Sequence, residues 1–172
     1  QFTNAILSDT GTILLFGHSR LVIDALKGID ENLKSKTKIY ICEGRNIGRY
    51  NSLNELDYCD GAVYASSIVE NGFKEVFLIP DILVASLMSR NLIDKVIFGA
   101  NGVDIQDGTF GHSAGHLSIA DLAHLYDIPV YVILDSFKFG NLNDCYNPGL
   151  ERNEGRKYEW FSADKKILSK ID

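Results

Sequence analysis

Two histidines four residues apart, His112 and His116, lie in a glycine-rich segment that also carries Asn101 and Ser113. At that spacing two imidazoles would share one face of a helix and could act as zinc ligands. The metalloprotease form of the pair needs Glu beside the first His and a third ligand, and residue 113 is Ser, so no metal is expected. The plainer expectation is that one imidazole caps a helix and the other packs against it. A second candidate is Gly17-His18-Ser19-Arg20, which follows an apolar run and leads straight into a helix-like stretch. A helix start offers unpaired N–H groups and the positive end of the dipole, which suit a phosphate or carboxylate. Gly17 permits close backbone approach, Ser19 can donate a hydroxyl, and Arg20 adds a fixed positive fork. In a purely structural role Ser19 would be a helix cap and Arg20 a surface charge.

Other chemistries lack their residues. Strand, Gly-His-Ser and helix imitate the nucleophile elbow of serine hydrolases, but residue 21 is Leu where that motif wants a second Gly. The order is wrong as well, because Ser19 follows the first strand and no His comes after His124. A dinucleotide fingerprint is missing too, which disfavours an NAD enzyme, and no cofactor is expected.

The elements that must position these residues are short apolar runs alternating with helix-like stretches. Thr12–Phe16, Lys38–Cys42, Val76–Ile79, Val96–Phe98 and Val130–Leu134 are rich in β-formers and read as buried parallel strands. Leu21, Leu26 and Ile29 mark one apolar helix face, and Ile119, Leu122, Ala123 and Tyr126 another. A further helix should begin near Asp81, with Met88 as core filler. Repeated strand-helix-strand units close into a doubly wound sheet, so the expected fold is a three-layer, mostly parallel Rossmann-like α/β domain. Ligands of such sheets sit beyond the strand C-termini, where strand order reverses. That rule selects the loops after Phe16, Phe98 and Leu134. Residues 99–116 are expected to be one long loop, which at strand ends usually binds something. Residues 1–150 should form the domain and 151–172 a tail packed on it or on a partner.

Composition narrows the class. The 172 residues carry 17 Lys+Arg against 23 Asp+Glu, a net charge of −6, which argues against nucleic acid. No apolar run is long enough for a membrane span, and nothing reads as a signal peptide, although the chain begins without Met. Cys42, Cys59 and Cys145 are an odd number without metal-type spacing, which points to a reducing cytoplasm.

Three segments together resemble one family. They are Ile13–Arg20 (ILLFGHSR), Val96–Val103 (VIFGANGV) and Tyr131–Phe139 (YVILDSFKF). They are similar to the C-terminal domain shared by the α, β and δ regulatory subunits of translation initiation factor 2B and by the methylthioribose-1-phosphate and ribose-1,5-bisphosphate isomerases. The Ser-Phe-Lys-Phe run and the Ser19-Arg20 pair lean toward the α-type regulatory subunits. The resemblance implies a cleft for a phosphorylated sugar or nucleotide, with Gly17, His18, Ser19, Arg20, Gly99, Asn101, His112, Ser113 and Asp135 as candidate ligand-binding residues. It further implies dimers or assembly with related subunits, and an N-terminal helical domain that these residues do not include.

The isomerases' catalytic Cys would fall on Gly17 and their catalytic Asp on Asn101. Their Asn-Lys pair would fall on His112 and Ser113, which removes a cation from the expected phosphate site. With the acid/base pair gone, a noncatalytic regulatory or binding module is the expectation. The alternative is a diverged aldose-ketose isomerase of a phosphorylated pentose, in which His18, His112 or His116 moves the proton beside Asn101.

Overall fold

Strand alternation decides which helix each side of the sheet receives. The computed structural model describes residues 11–44, 59–106, 108–113, 115–140 and 158–162. In chain order these form β1 (Thr12–Leu15), α1 (Arg20–Lys27), α2 (Glu31–Lys34), β2 (Lys38–Cys42), α3 (Asp60–Glu70) and β3 (Glu75–Ile79). A 3-10 turn over Asp81–Leu83 then leads into α4 (Val84–Ser89), followed by β4 (Lys95–Phe98), β5 (Gly102–Asp104) and β6 (Thr109–Ser113). The rest are α5 (His116–Leu125), β7 (Val130–Val132), a 3-10 turn over Ser136–Lys138, β8 (Phe139–Gly140) and β9 (Tyr158–Ser162).

Five strands pair in parallel in the order β3-β2-β1-β4-β7. Ile13 and Leu15 of β1 join Ile39, Ile41 and Ile97 on one face, against Val22 and Leu26 of α1 and Tyr64 and Ile68 of α3. Leu14, Phe16, Val96 and Phe98 take the other face, against Val84 and Met88 of α4 and Ile119 and Ala123 of α5. The result is the expected three-layer, doubly wound α/β domain. Each expected strand is present, and Met88 is fully buried packing. β4 is an inner strand, between β1 and β7, and all four of its residues are buried.

The helix after β1 packs on one face and the helix after β4 on the other, so the chain parts at the C-terminal ends of these neighbouring strands. A crevice at this reversal of strand order follows from the topology. At its mouth, Ser19 takes an extended backbone, and its Oγ accepts from the Val22 N–H at 3.5 Å as the N-cap of α1. Val22, Ile23 and Leu26 then bury the inward stripe of that helix.

One expectation is corrected. Residues 99–116 are not a single loop, because β5 and β6 form an antiparallel pair with Val103 opposite Phe110. They belong to a second, four-stranded sheet in the order β8-β5-β6-β9. β9 falls inside the expected tail and pairs with β6, placing Gly111 opposite Trp160 in register. The remaining tail residues lie outside the described residues.

Candidate functional site

A cleft of about 450 Å³ opens where the loops after β1, β4 and β7 converge, together with β6. It is lined by His18, Ser19, Arg20, Leu21, Asp24, Gly99, Ala100, Asn101, His112, Asp135 and Lys138. Sheet order explains the layout. β4 lies between β1 and β7, so Gly99–Asn101 form the floor while Ser19 and Arg20 approach from one side and Asp135 and Lys138 from the other.

Close packing sets the floor. A Cβ on Gly99 would lie 2.6 Å from Ser19 Oγ and 2.8 Å from Ser19 Cβ, so only glycine lets the β4 exit meet the cap of α1. Beyond it, the Asn101 N–H donates to the Gly111 carbonyl at 2.9 Å, which ties the floor to β6. On the far side, Asp135 Oδ1 accepts from the Phe137 N–H at 3.0 Å and caps the 3-10 turn that carries Lys138.

Both histidines of the glycine-rich segment are buried, but not as two ligands on one helix. His112 lies on β6 and His116 opens α5, while Gly115, with φ of +102°, is the N-cap. Neither imidazole caps the helix. Their rings stack with centroids 3.3 Å apart and planes inclined by 21°. His116 is fully buried, with Nε2 3.2 Å from the Phe16 carbonyl oxygen and its ring edge-on to Phe16 and Phe98. It underlies His112 and does not line the cleft. Burial, the neighbouring His116 and the Lys138 charge push the pKa of His112 down to about 2. The His112 imidazole is therefore neutral at working pH.

Gly17 also stays out of the lining. Its φ is +69°, and a Cβ there would lie 2.7 Å from the His116 ring. His18 is exposed at the rim and sets its ring edge-on against Tyr64 at 5.5 Å. Ser113 ends β6, and its side chain lies outside the described residues. The cleft thus gathers His18, Ser19, Arg20, Gly99, Asn101, His112 and Asp135, and leaves Gly17 and His116 beneath it.

Leu21, Asp24, Ala100 and Lys138 were missed in the sequence. Lys138 donates to the Ala100 carbonyl at 2.6 Å, a bond spanning 38 positions. The rule on strand ends selected its loop, but a lone Lys between two Phe gave no further signal. Among the described residues no group of three or more His, Cys, Asp or Glu could hold a metal, and no helix is long and apolar enough to cross a membrane.

Fold and cleft together define a doubly wound α/β domain with a crevice at the switch point of its sheet. The sequence model of the Initiation factor 2 subunit family matches residues 1–154, and the chain belongs to that family. A protein of Methanothermobacter thermautotrophicus named "Putative methylthioribose-1-phosphate isomerase" is 33% identical over 88 residues, 51% of this chain and 28% of that protein. The translation initiation factor eIF-2B structure from Pyrococcus horikoshii OT3 has a TM-score of 0.67 at 20% identity, covering 92% of this chain and 55% of that one. A chain of the tetrameric eIF2B-β2δ2 complex from C. thermophilum gives 0.60 at 19% identity, covering 80% and 40%. These structural likenesses carry the fold, and in each comparison this chain spans little more than half of the relative's length or less.

Proposed function

We propose that this domain is a noncatalytic regulatory or binding module that holds a phosphorylated sugar or nucleotide in the β1/β4 cleft and assembles with a second copy or with related subunits, in the cytoplasm. The observation that carries this reading is the mixed polarity of the cleft. The first turn of α1 turns its N-terminal end and Arg20 to one side, and Asp135 stands on the other. A phosphate suits the helix start and the guanidinium, and a carboxylate can accept from sugar hydroxyls.

The state of the candidate bases supports the absence of catalysis. With a pKa near 2, His112 is too weak a base to take a proton from a sugar carbon at neutral pH. His116 is sealed beneath it, and Asn101 carries an amide with no proton to exchange in that range.

The test is calorimetric titration with ribose 5-phosphate and AMP. Arg20→Ala should weaken binding about tenfold, roughly 1.4 kcal/mol, with the thermal midpoint almost unchanged because Arg20 is exposed. An unaltered isotherm would remove the assignment. One observation keeps the isomerase reading open as second choice: His18 lines the cleft and is exposed. Conversion of a pentose 1-phosphate to its ketose, lost in His18→Ala, would put that reading first.

A further inference from the structure

Lys138 is held in place by two separate features. The Asp135 cap fixes the turn that carries it, and its ammonium donates to the Ala100 carbonyl at 2.6 Å, which sets the charge over the β4 floor. An ammonium has three donors, and this bond uses one. Among the described residues no carboxylate forms an ion pair with it. The pairs there are Lys27–Asp24, Lys34–Glu31 and Lys38–Glu75, and Asp135 turns an oxygen to the Phe137 amide. Yet Lys138 is only partly exposed. A cation withdrawn from water beside a carbonyl dipole alone gains most from an anion arriving in the cleft. Lys138 and His112 line the same cleft, so an anion entering it meets the ammonium.

We propose that Lys138 is the second anion-binding group of the cleft, working from the β7 side while Arg20 works from the β1 side, and that it makes the site select phosphate monoesters over unphosphorylated sugars. This inference rests on the cleft reading above and adds to it the group that sets the ligand class. A monoester phosphate carries close to two negative charges at neutral pH. One guanidinium and one helix start would leave much of that charge without a partner, and a second cation from the opposite wall completes it. An uncharged sugar would gain nothing from Lys138 beyond one hydrogen bond.

The test is calorimetric titration of the full chain with ribose 5-phosphate, inorganic phosphate and ribose, in wild type, Lys138→Met, Lys138→Arg and Arg20→Ala. Methionine keeps the length and apolar stem of the side chain, and a thermal midpoint checks that each variant is folded. The expected result is a tenfold or greater loss of ribose 5-phosphate affinity in Lys138→Met, with recovery to within about threefold of wild type in Lys138→Arg. Weak ribose binding should stay unchanged, so the ratio between phosphorylated and unphosphorylated sugar collapses. Wild-type affinity in Lys138→Met, with Arg20→Ala still weakened, would overturn this inference and leave the cleft reading standing. An equal loss for ribose and ribose 5-phosphate would also overturn it, because Lys138 would then be only a brace for the Ala100 carbonyl. If wild type takes up neither ribose 5-phosphate nor phosphate, both readings fall together.

Discussion

The same sheet ends in two different ways at its C-terminal edge. At β2 and β3 the ladder continues past the strands: the Glu43 N–H donates to the Ile79 carbonyl at 2.9 Å, and the Gly44 N–H to Asp81 Oδ1 at 3.0 Å. There α3 presses Gly61 onto the Cys42 carbonyl, and burial, helped by the Asp81 carboxylate, drives the Cys42 thiol well above its ordinary pKa. The result is a closed, unreactive end. Between β1 and β4 no such bond continues past the strands among the described residues, and the two exits separate around Gly99 and Ser19. Both ends rely on a glycine for close approach. Where the glycine meets backbone, the end is sealed; where it meets a side-chain cap and the following helices leave on opposite faces, a hollow remains.

Substitutions can break this contrast. The largest effect is expected for Gly61→Ala. A new Cβ would overlap the Cys42 carbonyl, a backbone atom with no rotamer to escape into. A loss of about 3 kcal/mol or more in urea unfolding should follow, with ribose 5-phosphate affinity of the folded fraction preserved. Gly99→Ala should be milder in stability, about 2 kcal/mol, because Ser19 can shift with the cap of α1. Calorimetry should nevertheless show that it abolishes ligand binding, since the shift moves the floor and the helix start together.

A smaller effect separates the two ends by pH. Folded His112 stays neutral down to about pH 2, whereas in the unfolded chain it takes a proton near 6.5. The unfolded state thus binds more protons throughout that window, so stability present above pH 6.5 is lost as the pH falls. Between pH 6 and 5 the wild type should lose about 1 kcal/mol more than His112→Gln, as read from paired urea curves. Smallest is Asp81→Asn at the closed end. It weakens a charge-assisted bond to the Gly44 N–H at a cost of about 1 kcal/mol or less, and ribose 5-phosphate titrations should not register it.

How much was legible in the sequence follows from the same contrast. The inner parallel strands show as apolar runs because both of their faces are covered, as in Ile13-Leu14-Leu15 and Val96-Ile97-Phe98, whereas the edge strand β3 is an apolar run that leaves Phe77 and Leu78 exposed. The cap at Ser19 and the stripe of α1 are local signals, read within eight positions. β5 and β6 were hidden because Gly102-Val103-Asp104 and Thr109–Ser113 have neither an apolar run nor clean alternation, and their pairing depends on partners as distant as β9. Spacing alone could not separate a His on a strand from a His on a helix across the turn at Gly115. Lys138 was unreadable as a cleft residue for the same reason, since its anchor is a carbonyl 38 positions away.

Position 17 also constrains the order in which this chain can change. Its backbone conformation disfavours any residue but glycine, and the volume a side chain would enter already belongs to the His116 ring. A substitution there made first meets both obstacles at once. Shrinking residue 116 beforehand removes one of them, at the cost of the stack beneath His112. Adding a reactive side chain at the foot of the crevice, in the laboratory or by drift, is therefore a path with a required first step, and position 116 holds it.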